Sequence, residues 1–401
     1  MEGIPLVIKD NIDTGHLPTT AGTGALAGRL ASANAPALQR LVDAGALPAA
    51  KAVMHELAFG ITSNNALTGP ARNPYDPSRI PGGSSGGTAS AVAARLFAAG
   101  LGTDTGGSVR VPAALCGLVG FRPTVGRYPG AGVVPISHTR DTIGPMARSV
   151  ADVRLIDRLM AGLPESTMAA KSLRGLRLGV PRARFWENLE PGVAIAAEDA
   201  LHRLAGAGVE LVDVDLSALL VLNDDTGFPV ALYEVMRDLP AYLRDAGLAL
   251  DMAQIVAGIA SPDVRGILES QLGEQAMPQA AYRNAIDQLR PRLQAGYAQC
   301  FADHQLGALV FPTTALVARP IGDDETVELN GEREPTFGAF IRNTDLGSNV
   351  GAPGISLPMG LVDGLPAGLE LEGLPGADDE LLALADSVAR LLAPMPAPKP
   401  R

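Results

Sequence analysis

The hydrophobic pattern of this chain alternates between short, continuous apolar runs and longer segments with apolar residues at helical spacing. The run Ile-Pro-Leu-Val-Ile at residues 4–8 predicts a buried strand that ends at Lys9. Residues 36–44 place leucine and valine side chains on one face before Gly45, which predicts an amphipathic helix. Further strands are predicted at 176–180, 309–314 and 368–372, and further helices at 88–99, 149–161 and 379–392. We therefore expect an α/β protein.

The middle of the chain and its end have a different pattern. Residues 217–305 are mostly helical in pattern and carry no motif with recognisable chemistry. No internal repeat or clear linker separates them from the rest, so we expect a single domain over residues 1–392. The tail, residues 393–401, contains four prolines and is expected to be disordered.

Two glycine-flanked serines, Ser84 and Ser108, carry the strongest chemical signal. They lie in Pro-Gly-Gly-Ser-Ser-Gly-Gly at 81–87 and in Gly-Thr-Asp-Thr-Gly-Gly-Ser at 102–108. Neighbouring glycines leave a serine hydroxyl uncrowded and let backbone N–H groups turn toward one point, as a nucleophile beside an oxyanion hole requires. A flexible turn is the alternative for either segment taken alone. The Gly-Lys-Ser/Thr of a P-loop and the Gly-x-Ser-x-Gly elbow of α/β-hydrolases are both absent.

A serine hydroxyl needs a base before it becomes a good nucleophile. The histidines, at positions 16, 55, 138, 202 and 304, all lie outside the glycine motifs and form no recognisable Ser-His-Asp pattern. Lys9 can serve as the base only when neutral, and at the ordinary lysine pKa of about 10.4 only ~1 amine in 2,500 is neutral at pH 7. Burial beside Val7 and Ile8 favours the neutral form, so we expect a desolvated Lys9.

The segment Gly-Ile-Pro-Leu-Val-Ile-Lys-Asp-Asn at 3–11, taken with the two serine motifs, resembles the amidase signature family of serine hydrolases. The resemblance extends to residues 343–372. It implies a single large domain with a mixed, largely buried central β-sheet covered by helices on both faces, in which the variable middle region (here 217–305) shapes the substrate pocket. It also implies several dozen helical residues before the lysine motif. Because Lys9 comes almost at once, we expect that region to be missing.

The resemblance gives each residue of these motifs a role. Ser108 matches the acylating nucleophile, Ser84 the bridging serine that relays a proton, and Lys9 the base. In the family, the peptide bond before the bridging serine, here Gly83–Ser84, is cis. Four backbone N–H groups correspond to the oxyanion hole of the family, those of Thr105, Gly106, Gly107 and Ser108. Three residues are expected to support the site, Ser85 by hydrogen bonding and Asp104 with Arg110 as a charge pair.

Composition and charge exclude several classes of binding partner. The net charge of −11 argues against nucleic acid and anionic membranes, and no apolar run approaches the roughly 18 to 20 residues of a bilayer span. Cys116 and Cys300 are too few for a disulfide framework. The His55-Glu56 pair lacks the second histidine of a zinc helix because Phe59 stands there, and no metal or organic cofactor is implied. We expect a cytoplasmic enzyme for a small-molecule amide, with a homodimer as an open alternative to a monomer.

The predicted reaction converts an amide to its acid and ammonia or an amine through an acyl-enzyme. Residues 73–79 and 138–150 resemble bacterial indoleacetamide and mandelamide hydrolases, which favours an aryl or arylacetic primary amide. One alternative is the glutaminase (A) subunit of a tRNA-dependent amidotransferase, although Val111 stands where that subunit usually has glutamine. Another alternative is an N-terminally truncated, inactive remnant of the fold.

Overall fold

The computed structural model describes residues 1–164, 171–392 and 395–399. Its strands are β1 Pro5–Lys9, β2 Leu47–Ala52, β3 Asn64–Asn65, β4 Gly69–Pro70, β5 Ala99–Asp104, β6 Val119–Arg122, β7 Thr142–Ala147, β8 Arg177–Val180, β9 Glu210–Asp213, β10 Ala308–Pro312, β11 Thr326–Leu329, β12 Glu332–Pro335, β13 Gly354–Val362 and β14 Leu365–Glu372. Its α-helices are α1 Pro36–Asp43, α2 Gly86–Ala93, α3 Arg110–Cys116, α4 Val150–Ala161, α5 Pro191–Gly206, α6 Ser217–Asp224, α7 Gly227–Asp245, α8 Met252–Ala257, α9 Pro262–Ser270, α10 Gln279–Asn284, α11 Arg290–His304, α12 Thr336–Ile341, α13 Asp345–Val350 and α14 Asp378–Ala389.

A ten-stranded sheet of order β2-β1-β5-β7-β6-β13-β14-β10-β8-β9 forms the centre of the molecule. The strands at each end of the sheet pair in parallel: β1 with β2 and β5, and β8 with β9 and β10. The strands between them pair in antiparallel fashion. The sheet is therefore mixed, as expected, and helices flank it.

The side-chain alternation of β1 decides what each face of the sheet contacts. Leu6 and Ile8 belong to the large apolar cluster that contains side chains of α1, α4, α5 and α14. Val7 belongs to the opposite cluster, with side chains of α2 and α3. Because successive strand residues point to opposite faces, Lys9 lies on the same side as Val7 and faces the start of α2. The segment that carries Ser84 immediately precedes α2.

The predicted elements are found with one clear error. Ser149 caps α4 as its pattern indicates, with its hydroxyl accepting the Asp152 N–H at 3.1 Å. The predicted helix over residues 88–99 is wrong in its second half, because α2 ends at Ala93 and β5 begins at Ala99. The helix stops there because Arg95 adopts a left-handed conformation (φ 63°), and an alanine-rich composition does not reveal that turn.

The middle region, residues 217–305, is helical as predicted and contains α6 to α11. Of the tail predicted to be disordered, residues 393, 394, 400 and 401 lie outside the described residues, whereas the Pro396 carbonyl accepts a hydrogen bond from Tyr75 at 2.8 Å. Among the described helices, none is long and apolar enough to cross a membrane.

Candidate active site

The parallel pairing of β1 and β5 brings the sequence motifs together. Ile8 lies opposite Leu101, so both strands end at the same edge of the sheet. Lys9 is the last residue of β1, and β5 ends at Asp104, just before the loop of residues 105–108. Loops at the carboxyl ends of parallel strands commonly form ligand sites, which makes this edge the candidate site.

Lys9 is fully buried and contacts two hydroxyl groups. Its Nζ donates to Ser84 Oγ at 2.7 Å and to Thr103 Oγ1 at 2.7 Å. Thr103 Oγ1 also accepts from Asn11 Nδ2 at 3.0 Å. Within the described residues Lys9 forms no ion pair, so its ammonium form has neither solvent nor a carboxylate in contact.

The protonation of Lys9 follows from this environment. Burial lowers the pKa of Lys9 to about 7, and the more distant Asp104 and Asp141 carboxylates only partly oppose that effect. Asp141 is itself tied to the glycine loop, because it accepts a hydrogen bond from Thr105 Oγ1 at 2.6 Å. A large share of Lys9 is therefore neutral near pH 7, as the sequence predicted for a desolvated lysine.

Ser84 is held by the backbone around it. The Gly83–Ser84 peptide bond is cis, which confirms the expectation drawn from the resemblance. The Ser84 carbonyl accepts from the His55 N–H at 3.1 Å. Next to it, Ser85 Oγ donates to the Thr103 carbonyl at 3.2 Å and accepts the Thr103 N–H at 3.3 Å. Ser85 thus joins the start of α2 to β5, which agrees with a supporting position.

Ser108 lies at the other end of the glycine loop and is 8% exposed. No described residue forms a hydrogen bond with its hydroxyl, so Ser84, which the resemblance assigns to proton relay, is not hydrogen-bonded to Ser108 in this structure. The N–H groups of residues 105–108 are likewise without acceptors in the described part of the chain. Four backbone donors thus remain available beside a serine hydroxyl.

The conformation of the loop of residues 105–108 depends on Gly107 and on a contact with Thr344, the residue that precedes α13. Gly107 has φ 150°, and a Cβ there would lie 2.2 Å from Thr344 Oγ1. The Thr344 hydroxyl donates to the Gly106 carbonyl at 2.6 Å. The Gly106 carbonyl is therefore held by the Thr344 hydroxyl. Only glycine fits at position 107, because a side chain there would clash with the same hydroxyl.

Asp104 and Arg110 form the predicted charge pair, and it is completely buried. Arg110 Nε lies 3.1 Å from Asp104 Oδ2, and Arg122 NH1 lies 2.9 Å from Asp104 Oδ1. Burial alone would raise the pKa of Asp104, but Arg110 and Arg122 hold it well below its usual range. The same carboxylate accepts the Val109 N–H at 3.1 Å, which anchors the start of α3 directly after Ser108.

Sequence reasoning missed two acidic residues of β14 that complete this cluster. Glu370 Oε1 and Glu372 Oε2 lie 3.2 Å and 3.7 Å from Arg110 NH1. Burial raises the pKa of Glu370 to about 7 and that of Glu372 to about 8, against the attraction of Arg110. The sequence did contain a signal for this cluster. Glu370 and Glu372 are two positions apart in an apolar strand, so both side chains must point to the same face of the sheet.

A separate acidic cluster lies beside the site. His138, Glu234 and Asp238 each place one potential ligand atom within 4.8 Å of the others. Among the described residues, this is the only group of side chains with the spacing of a metal site. Glu234 Oε2 already accepts from Ser137 Oγ at 2.5 Å, and Tyr282 donates to Oε1 at 3.0 Å. Protein donors thus occupy both carboxylate oxygens of Glu234.

The family described as "Amidase" matches residues 1–382. Among curated proteins, indoleacetamide hydrolase of Rhizobium radiobacter is 49% identical over 387 residues, which are 96% of this chain and 83% of that protein. Mandelamide hydrolase of Pseudomonas putida is 43% identical over 413 residues, covering 99% of this chain and 80% of its own.

Solved structures give the same result at the level of the fold. The native peptide amidase of Stenotrophomonas maltophilia has a TM-score of 0.85 and 31% identity, covering 99% of this chain and 84% of its own. The glutamyl-tRNA(Gln) amidotransferase of Thermotoga maritima contributes a second neighbour. Its A subunit has a TM-score of 0.81 and 27% identity, covering 99% of this chain and 87% of its own.

Proposed function

This chain belongs to the amidase family and is an amidase, and we propose that it hydrolyses the primary amide of an aryl or arylacetic acid with Lys9, Ser84 and Ser108 as its catalytic residues. The observation that carries the proposal is the buried Lys9 Nζ, which contacts the Ser84 and Thr103 hydroxyls at 2.7 Å without a carboxylate partner. A lysine in that setting is neutral often enough near pH 7 to accept a proton.

The first chemical step is acylation. Ser108 Oγ attacks the amide carbonyl carbon while its proton passes to Ser84 Oγ, and the Ser84 proton passes to Lys9 Nζ. This relay requires the Ser84 and Ser108 hydroxyls to come within hydrogen-bonding distance once substrate is bound. The negative charge that develops on the carbonyl oxygen is stabilised by the free N–H groups of residues 105–108.

Collapse of the tetrahedral intermediate breaks the carbon–nitrogen bond. The leaving nitrogen takes the proton back from Lys9 through Ser84 and departs as ammonia. Water then attacks the acyl-enzyme by the same relay, which releases the carboxylic acid and restores Ser108. Each lost oxyanion donor typically lowers the rate by about 10² to 10³ in such sites.

The substrate class rests on the curated relatives. The names of the two relatives described above refer to indoleacetamide and mandelamide, both of which are amides with an aromatic ring close to the carbonyl. We carry that class over to this chain as part of the proposal. A small-molecule amide is then the partner, and a cytoplasmic location and a possible homodimer remain predictions.

Two alternatives to this proposal make different predictions. A glutaminase subunit would hydrolyse glutamine and co-purify with partner subunits, as the name of the amidotransferase neighbour suggests. An inactive remnant would fold without a reactive serine. Release of ammonia from indole-3-acetamide but not from glutamine, by protein purified alone, would exclude both.

The direct test is covalent labelling. The protein is treated with a fluorophosphonate, and the adduct is located by peptide mass spectrometry in wild type, Ser108→Ala and Lys9→Met. We expect a label on Ser108 that Lys9→Met reduces by at least 100-fold. Lys51→Met is the matched control, because Lys51 is another largely buried lysine whose pKa burial lowers to about 8, on the neighbouring strand β2. Absence of label from folded wild-type protein sinks the proposal.

A further inference from the structure

Two phenylalanine rings stand exposed on different elements and face each other. Phe228 lies in the first turn of α7 and Phe337 in α12, with ring centroids 6.1 Å apart and an interplanar angle of 49°. Phe228 is 59% exposed and Phe337 39% exposed. A tilted aromatic pair at this separation leaves ring faces and edges free for a third ring.

The pair is joined to the glycine loop through α12. Phe337 and Ile341 are four residues apart, so they share one face of the helix. A Cβ on Gly106 would lie 2.7 Å from Ile341 Cδ1, which places Ile341 directly against the loop that precedes Ser108. An apolar path therefore runs from Gly106 over Ile341 to Phe337 at the surface.

Buried polar contacts fix Phe228 to the same loop. Arg140 NH1 donates to the carbonyl of Gly227, the residue before Phe228, at 2.9 Å. Arg140 Nη2 donates to Asp345 Oδ1 at 2.5 Å. Arg140 Nη2 and Asp345 Oδ1 each lie 3.5 Å from a Cβ built on Gly106. The two aromatic residues are thus positioned by contacts that converge on Gly106.

The helix that carries Phe228 continues this apolar surface inward. Ala231, Val235 and Leu239 follow at spacings that keep them on the same face, and they pack in the cluster with Val134. Phe228 is the outer, exposed end of this face, whereas Val235 and Leu239 at its inner end are buried.

We propose that Phe228 and Phe337 bind the aromatic ring of the substrate and so select aryl amides over aliphatic ones. The inference rests on the proposed function, because it assigns the acyl group of that substrate to this pair. An aryl ring inserted here removes its own surface and the two phenylalanine rings from water. A short alkyl group reaches neither ring and gains nothing from them.

The test compares two amides in variants that remove the rings. Ammonia release gives kcat/KM for phenylacetamide and propionamide in wild type, Phe228→Ala, Phe337→Ala and the double variant, with each Phe→Leu variant to retain apolar volume. We expect the ratio of phenylacetamide to propionamide kcat/KM to fall roughly 10- to 100-fold in the double variant. Ile195→Ala is the matched control, because Ile195 is a 72% exposed apolar residue on α5; its ratio should equal that of wild type.

A binding measurement separates this inference from the amidase reaction itself. Titration calorimetry gives the Kd of phenylacetate, which needs no turnover, and we expect the double variant to weaken it at least 10-fold. If wild type hydrolyses neither amide but shows this ring-dependent binding, the proposed substrate fails and the ring site stands. An unchanged ratio and Kd overturn the ring site, as does wild type that hydrolyses propionamide and neither hydrolyses nor binds the aryl compounds. Loss of a dimer on gel filtration with an unchanged Kd assigns the pair to self-association and also overturns it.

Discussion

Two fully buried charged sites lie at the end of β5, and they differ in how their charges are compensated. At the first, the reactive site, Lys9 contacts the hydroxyl of Thr103 and the hydroxyl of Ser84. At the second, the anchoring site, Asp104 contacts the guanidinium groups of Arg110 and Arg122. Burial is equally complete at both sites, yet the pKa of Lys9 is lowered to about 7, while Asp104 stays ionised because the pKa of its carboxyl is held well below its usual range.

The difference shows that the partner, and not the burial alone, decides the protonation state. A hydroxyl accepts a hydrogen bond from an ammonium group but cannot offset the loss of its hydration, so the neutral amine is favoured. A guanidinium does offset the desolvation of a carboxylate. The end of β5 therefore takes part in both sites, with Thr103 beside the proton acceptor Lys9 and Asp104 as a fixed, charged anchor.

Removing Lys9 tests the reactive site and should have the largest effect. Lys9→Met retains the length of the side chain and removes the base, so we expect kcat/KM for an aryl amide to fall by roughly 10³. Folding should not suffer, because the variant buries no charge. Steady-state kinetics and thermal unfolding measure the two quantities, with Lys51→Met as the control. Activity within tenfold of wild type would contradict the role of Lys9.

Removing Arg110 tests the anchoring site, where stability should change. Arg110→Met leaves the Asp104, Glu370 and Glu372 carboxyls without their shared cation, so we expect the free energy of unfolding to fall by about 3–5 kcal/mol. Urea denaturation followed by circular dichroism measures it. The control is Arg182→Met, whose ion pairs are exposed and should contribute less than about 1 kcal/mol. Equal losses in the two variants would refute the distinction.

Placing a carboxylate at the reactive site should keep Lys9 charged, as the ion pairs of the anchoring site keep Asp104 charged. In Thr103→Asp the new carboxylate lies where Thr103 Oγ1 contacts Lys9 Nζ at 2.7 Å, so the pKa of Lys9 should rise. Because the base must be neutral, wild-type kcat/KM should fall about tenfold per pH unit below about pH 7.

We expect the Thr103→Asp profile to shift to higher pH by roughly 1 to 3 units. Thr103→Ser keeps the hydroxyl and serves as the control, with an acid limb that matches wild type. A Thr103→Asp profile that overlays wild type would show that Lys9 does not set the acid limb.

The sequence predicted the residues of both sites that lie in local motifs. Lys9, Ser84, Ser108 and the pair Asp104–Arg110 lie in local motifs, so their proximity could be expected from the resemblance. Thr103 was missed as the second acceptor of Lys9, although it lies inside the same motif. The fold class was predicted because apolar runs and helical spacing are local signals.

Contacts from distant parts of the chain were beyond prediction for a physical reason. Glu370 and Glu372 reach Arg110 only because β14 lies near α3 in the folded sheet, and nothing in the local sequence of α3 specifies that neighbour. Likewise, Phe228 and Phe337 meet although the two residues are more than a hundred positions apart in the sequence. Single-sequence patterns predict elements and not the pairing of their faces.

A further prediction concerns the pH dependence of stability at the anchoring site, where both Glu370 and Glu372 have raised pKa values. The raised pKa of Glu372, about 8, means that the folded state keeps a proton that the unfolded glutamate loses above about 4.5. Stability should therefore decrease as pH rises from 4.5 to 8, by at most about 1.4 kcal/mol per unit. Glu372→Gln keeps an acceptor for Tyr297 and should make this slope shallower, with the contribution of Glu370 remaining, as urea denaturation at several pH values would show. The exposed Glu198→Gln should retain it; an unchanged slope in Glu372→Gln would mean that Glu372 is ionised in the fold.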